Sequence, residues 1–266
     1  MHPKELLDRY QIEPKKSLGQ NFLFDENVLW RIVEAAELKP TDTVLEIGPG
    51  LGALTRLLAQ TAVSVTAVEL DGRLIPVLHD ELASFANVRL IQGDILEQNP
   101  AQLFARPYKV VANVPYYITG AILRHLLTAA HKPTCMVLTV QKEVADRLTA
   151  VPPHMSLLAV SAQFYGPVKQ VATLKAGAFW PRPDVDSAVV RLDITRAPAH
   201  EEPFFRVVRA GFSQKRKQLH NNLRQLGLKP AEVDTILAAA GIDGRRRAET
   251  LTLAEWQGIT ELVVGS

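Results

Sequence analysis

Cysteine is almost missing: the 266-residue chain has one, Cys135. A single thiol excludes any disulfide framework within the chain. Its setting, the apolar run Cys135-Met136-Val137-Leu138, marks it as a buried core residue rather than a reactive one. A reducing, cytoplasmic compartment is the expected setting. No run is long and apolar enough to span a bilayer, so no membrane association is expected. Residues 1–16 are polar and broken by Pro3 and Pro14, which is not a secretory pattern. The seven histidines show no metal-ligand spacing, so no metal is expected. Neither a Ser-His-Asp set nor a phosphate-binding P-loop stands out.

What is present is ample apolar material and an uneven charge. Hydrophobic residues make up 47% of the chain, enough for one large domain and a small one. The net charge is only +2. Residues 203–247, however, hold ten Lys/Arg against three acids, a local excess of seven, and the rest of the chain balances it at minus five. A charge run is usually a solvated face. So local an excess favours a polyanionic partner.

One stretch organises the rest. Val44 to Ile47 is a short apolar run that ends in Gly48-Pro49-Gly50-Leu51-Gly52, and Ala53 to Ala59 follows with helical spacing. This predicts strand, tight turn and helix. Glycine accepts positive φ and lets a ligand approach the backbone. A dinucleotide fold wants Gly-x-Gly-x-x-Gly against a pyrophosphate. Here the spacing is Gly-x-Gly-x-Gly, preceded by Glu46.

Further strands are expected at 64–69, 88–93, 108–112, 134–140, 168–174 and 188–194, the last two close together and antiparallel. Helices are expected between the earlier ones, including 74–82, one after Asp25, and one at 121–127 capped by Thr119. Alternating β and α units imply a mostly parallel sheet with its ligand at the carboxyl strand ends. Glu69 and Asp94 both fall at such ends. A carboxylate there can accept both ribose hydroxyls. Three acids at successive strand ends, Glu46, Glu69 and Asp94, suit a ligand with ribose, adenine and a cationic centre, and S-adenosylmethionine is such a ligand.

Strand 108–112 runs into Asn113-Val114-Pro115-Tyr116. The proline stiffens the turn. The Asn113 amide oxygen and the Val114 carbonyl then offer two adjacent acceptors, which match an exocyclic amine. Accepting its hydrogens favours a pyramidal nitrogen with its lone pair restored, and Tyr116 can stack on the base. Phe179-Trp180-Pro181-Arg182-Pro183 is a loop whose aromatics either cap the core or close the second face of a flipped base. Gln20 and Asn21, between apolar residues, suggest either turn chemistry or a flap whose amides meet a ligand.

Residues 197–203 read as a linker, and only helical spacing follows, at 204–212, 214–226, 231–240 and 253–263. The expected division is therefore a catalytic domain, 1–196, and a helical domain, 197–266.

Six motifs occur in order: Gln20-Asn21-Phe22-Leu23, Glu46 to Gly52, Asn113 to Tyr116, Gln141-Lys142-Glu143-Val144-Ala145, Phe179-x-Pro-x-Pro-x-Val-x-Ser187 and Phe212-Ser213-Gln214-Lys215-Arg216-Lys217. Together they closely resemble the small-subunit rRNA adenine N6,N6-dimethyltransferases, from about Lys15 to Trp256. The resemblance implies a Rossmann-like, class I S-adenosylmethionine-dependent fold with a small all-helical C-terminal domain. It implies two methyls on each of two adjacent adenosines near the 3′ end of 16S rRNA, in a maturing small subunit. By motif, Asn21, Leu23, Gly48, Glu69, Asp94 and Asn113 would line the cofactor pocket. Asn113 and Tyr116 would act on the adenine, with Phe179 against its other face. The helical domain would help a monomeric enzyme dock on the ribosomal particle.

Two features depart from the family pattern. Val151 to Ser156 differs in chemistry from the usual Gly-Ser-Lys-x-Tyr-Gly-like loop, which puts RNA contacts from that loop in question, and Val114 replaces a commoner Leu or Ile. Three other readings remain open: a nicotinamide oxidoreductase, disfavoured by the glycine spacing, an adenine-N6 DNA methyltransferase, and a non-catalytic assembly factor on the same scaffold.

Overall fold

The computed structural model describes residues 2–115, 118–196 and 200–265. These form two compact units, one of residues 1–145 with 169–194 and one of residues 146–168 with 195–266. The compositional boundary at 196/197 lies two residues past the point where the chain enters the second unit. Residues 146–168 also belong to that unit, although composition groups them with the first.

The first unit is built on seven strands. They are β2 (Thr43–Ile47), β3 (Ser64–Glu69), β4 (Val88–Gln92), β5 (Tyr108–Asn113), β6 (Cys135–Gln141), β7 (Val168–Leu174) and β9 (Ser187–Asp193), in the order β4-β3-β2-β5-β6-β9-β7. β4, β3, β2, β5 and β6 run parallel, and β9 is antiparallel to β6. Parallel strands are covered on both faces and so read as continuous apolar runs. Val44, Leu45, Val65, Ala67, Val110, Val111, Met136 and Val137 are accordingly all buried. A two-stranded antiparallel ribbon, β1 (Phe22–Leu23) with β8 (Phe179–Trp180), stands apart from the main sheet. Two residues per strand carry too little pattern to be seen in a sequence.

Register brings the strand ends together. Ile47 pairs with Val68 on one side and Ala112 on the other, and Glu69 pairs with Gln92. The strand order reverses between β2 and β5, which leaves a crevice outside their carboxyl ends. Helix Glu26–Ala35 covers one face, its start capped by Asp25, whose Oδ1 accepts from the N–H groups of Asn27 and Val28 at 3.0 and 3.3 Å. Leu29, Ile32 and Val33 pack there with Leu54, Leu57 and Leu58 of helix Ala53–Thr61. Beside this cluster, Leu6 and Leu7 of helix Pro3–Arg9 join Val77, Leu78 and Leu82, and Val88 packs against both groups. Thr119 is not a cap: it is the first residue of helix Thr119–Leu127, and it is buried.

The second unit is helical. Phe164 stacks on Phe204 with ring centres 3.9 Å apart and planes 11° apart, and Phe205 meets Phe164 edge-on. Tyr165 donates its hydroxyl hydrogen to Glu201 at 2.8 Å. This aromatic cluster binds residues 157–165 to helix Glu201–Gly211. Helix Leu253–Gly265 lays the fully buried Trp256 against Gly211. The helix expected over 214–226 is shorter. Residues 213–218 form an exposed loop, helix Leu219–Leu223 follows, and a 3-10 turn ends it at Leu226. The reason is Asn222, whose buried amide donates to the carbonyls of Gly211 (2.6 Å) and Gln214 (3.1 Å), fixing a loop where a helix would remove those acceptors. Leu219 and Leu223 are buried. Among the described residues no helix is long and apolar enough to cross a membrane.

Candidate active site

The glycine turn has the backbone that its sequence demands. Gly48, Gly50 and Gly52 have φ of 68°, 58° and 81°, a region that other residues enter only with strain. At Gly50 a Cβ would also stand 3.1 Å from the Phe22 ring. The loop is thus held by conformation and by packing, and it forms the floor of a cavity at the carboxyl ends of β2, β3, β4 and β5.

Asn21, Leu23, Gly48, Glu69, Asp94 and Asn113 all line this one cavity. Glu69 is 6% exposed, and its two carboxylate oxygens accept the N–H groups of Gly50 (3.1 Å) and Asp71 (2.8 Å). Burial raises its pKa against those hydrogen bonds. Each oxygen keeps a lone pair for a ligand hydroxyl. Asp94 accepts the Leu96 N–H on Oδ1 at 2.9 Å, and its Oδ2 takes no bond from a described residue. Asn113 donates its amide hydrogen to the Asn21 carbonyl at 3.3 Å. The Asn113 Oδ1 and the Val114 carbonyl accept from none of the described residues. Both acceptors are thus left for a ligand, and the Val114 N–H is held by the Thr139 carbonyl at 3.3 Å.

One expectation comes out differently. Phe179 does not reach the cavity. It is 2% exposed and sits in the core cluster with Leu29, Ile32 and Val33, paired in register with Leu23. Neighbours on a strand face opposite sides, so the half-buried Trp180 is the side chain of that pair turned the other way. Tyr116 lies outside the described residues. Gln20 lines the cavity, but its amide is engaged within the protein, accepting from the Lys15 N–H (2.7 Å) and donating to Asp71 (2.8 Å).

Glu46, the first of the three acids at successive strand ends, is the one that the expected cofactor set leaves out. It is 1% exposed, lines the cavity, and its Oε2 has no partner among the described residues. Burial, reinforced by the nearby charge of Glu69, pushes its pKa up to about 8. Among the described residues no cluster of His, Cys, Asp and Glu could hold a metal ion. The donor set suits a cationic nucleoside instead: buried carboxylates, an orphaned acid oxygen, and close-packed glycines, with no Lys or Arg among the described residues of the wall.

A parallel sheet whose order reverses beside such a loop, extended by an antiparallel strand, defines a Rossmann-like class I methyltransferase fold, here followed by a helical unit. The chain belongs to the ribosomal RNA adenine dimethylase family, whose model matches residues 12–263. It is 47% identical to the ribosomal RNA small subunit methyltransferase A of Dehalococcoides mccartyi strain CBDB1, covering 96% of this chain and 90% of that protein. The same-named protein of Geobacillus kaustophilus is 44% identical, over 97% and 93%. Among solved structures, a dimethyladenosine transferase from Plasmodium falciparum superposes with a TM-score of 0.78 at 25% identity, covering 90% of this chain and 95% of that one. The 23S rRNA methyltransferase ErmE superposes with a TM-score of 0.74 at 30% identity, over 92% and 100%.

Proposed function

We propose that the protein uses S-adenosyl-L-methionine to methylate N6 of two adjacent adenosines near the 3′ end of 16S rRNA, in the maturing small subunit, giving N6,N6-dimethyladenosine. The observation that carries this reading is the pairing of two free acceptors, Asn113 Oδ1 and the Val114 carbonyl, with a cavity lined by Glu69, Asp94 and the glycine loop. The 43–47% identity to small-subunit methyltransferases supports 16S rRNA as the substrate.

The bound cofactor supplies a methyl group carried on a sulfonium. Glu69 accepts the ribose hydroxyls, and Asp94 meets the polar edge of the cofactor's adenine. Asn21 and Leu23 complete the cavity wall. Asn113 and Val114 accept the N6 hydrogens of the target base, drawing its nitrogen pyramidal and returning the lone pair that the ring delocalises. An amine so held needs no general base before it attacks, because its proton becomes acidic only once the nitrogen carries the new carbon. Tyr116 stacks on the base. Phe179 acts from beneath, seating Leu23 on the cavity wall through the β1–β8 pair. The helical unit, with exposed Lys215, Arg216 and Lys217, holds the ribosomal particle through its phosphates.

The direct test mixes the protein, methyl-labelled cofactor and small subunits that lack these methylations, then digests the rRNA and measures its adenosines by mass. Labelled dimethyladenosine in the 3′ region is the expected product. Label in duplex DNA or in 23S rRNA, or bound subunits without label, would overturn the proposal.

A further inference from the structure

Outside the cavity, the most heavily bonded carboxylate among the described residues of the first unit is Asp71, and the proposed reaction gives it no part. It is 5% exposed and does not line the cavity. Its backbone N–H donates to Glu69 Oε1 at 2.8 Å. Its Oδ2 accepts from Gln20 Nε2 at 2.8 Å, across 51 residues of chain. Arg73 closes on both of its oxygens, with Nε to Oδ1 at 2.9 Å and Nη2 to Oδ2 at 2.6 Å. Arg73 also reaches the N-terminal segment itself, donating from Nη1 to the Glu13 carbonyl at 3.1 Å. Gln20 in turn accepts the Lys15 N–H.

These bonds make one continuous path. It runs from residues 13–20 through the Gln20 amide to the Asp71 carboxylate, on through Asp71 itself to its backbone N–H, which donates to Glu69 Oε1, and through Glu69 Oε2 to the Gly50 N–H at 3.1 Å. Its first end is the segment whose Leu18, Gly19, Gln20 and Asn21 wall the cavity. Its other end is the carboxylate that faces the ligand. We propose that Asp71 is a positioning residue: it fixes the N-terminal wall and the aim of the Glu69 carboxylate as one unit, so that neither is correctly placed for the cofactor without the other. This rests on the reading of Glu69 as the acceptor of the ribose hydroxyls. A turn-capping role alone, through the Arg73 N–H at 3.2 Å, would predict reduced stability and nothing specific to the cofactor.

The measurement is the dissociation constant of S-adenosyl-L-methionine, by calorimetry, for the full chain and for Asp71→Asn, Gln20→Leu, the double variant and Glu69→Gln. In Asp71→Asn an amide must present N–H toward Gln20 or Arg73, so donor faces donor. Each single variant is expected to weaken binding about tenfold, the scale of a hydrogen bond to a charged group. The double variant should be no weaker than the worse single one, since both break the same hydrogen bond. In steady state, Asp71→Asn should raise KM for the cofactor and leave kcat near the parent value. Additive effects, or an unchanged dissociation constant in a folded variant, would overturn the proposal. Gln20→Leu leaves the Arg73 turn intact, so it decides the question if Asp71→Asn does not fold. If Glu69→Gln weakens binding and the other two do not, the coupling alone fails. If Glu69→Gln has no effect either, the ribose assignment falls and this proposal with it.

Discussion

Glu46 offers the sharpest quantitative test. A carboxyl group that ordinarily titrates near 4.5 is held by burial up to about 8, with Oε2 unpartnered beside the Glu69 carboxylate. The folded protein therefore keeps a proton that the unfolded chain has already released. The associated stability is fully present below pH 4.5 and is lost as pH rises to about 8. One retained proton gives a slope of ~1.4 kcal/mol per pH unit. Over a window of roughly three and a half units, that amounts to on the order of 5 kcal/mol. Glu69 is shifted in the same direction and adds to the slope. Glu46→Gln keeps the shape, removes the titration, and leaves Glu69 in place. Urea unfolding of the cofactor-free protein, followed by far-ultraviolet circular dichroism at several values between pH 5 and 8, should show the parent losing stability steadily. The Glu46→Gln variant should lose clearly less, so that its advantage grows with pH. Parallel curves would mean that Glu46 ionises normally in the folded protein, and the account of the cavity floor as a low-dielectric site would fail.

Three further outcomes follow from named residues. Glu69→Ala removes a buried acceptor shared by ligand and loop, and should weaken S-adenosyl-L-methionine about ten- to a hundredfold by calorimetry, whereas an unchanged constant would remove it from the ribose site. Gly211→Ala places a Cβ 2.2 Å from the Trp256 ring; thermal unfolding should show a destabilisation of about 1–3 kcal/mol or more, and a neutral result would mean that the helix packing is looser than described. Lys215, Arg216 and Lys217 are exposed on a loop, so changing all three to Gln should flatten the salt dependence of binding to immature small subunits by roughly one unit of log–log slope for each phosphate no longer held, while cofactor affinity stays put. Equal slopes for variant and parent would assign those charges to solubility alone.

The parts of the site legible in the sequence are those whose chemistry is local. β2, β3, β5 and β6 announce themselves because burial on both faces makes their residues mostly apolar, and even β4, half exposed at the sheet edge, keeps Val88, Leu90 and Ile91. The glycines announce themselves because three positive φ values admit little else. Glu69 and Asp94 are found by counting to the end of a strand. Phe179 reads two ways, core or base, because its face is set by pairing with Leu23, and a two-residue strand has no alternation to read. The loop at 213–218 reads as helix because its interruption comes from Asn222, several residues downstream. Residues 146–168 read as part of the sheet unit because the stacking of Phe164 on Phe204 spans forty residues of chain, beyond any local pattern.

The same distinction separates Glu69 from Asp71. An Asp two residues past a strand end looks like a turn former, and by its bond to the Arg73 N–H it is one. Its second allegiance, to Gln20, depends on the N-terminal segment returning across the sheet ends, which no local spacing encodes. Gln20 reads two ways for the matching reason: its amide serves both as turn chemistry, through Lys15, and as part of the cavity wall. A motif marks where a ligand atom must find its partner. What keeps that partner in place is a bond between motifs. In this chain the Gln20 motif reaches the glycine loop through Glu69 and Asp71, and Asp71 belongs to no motif at all.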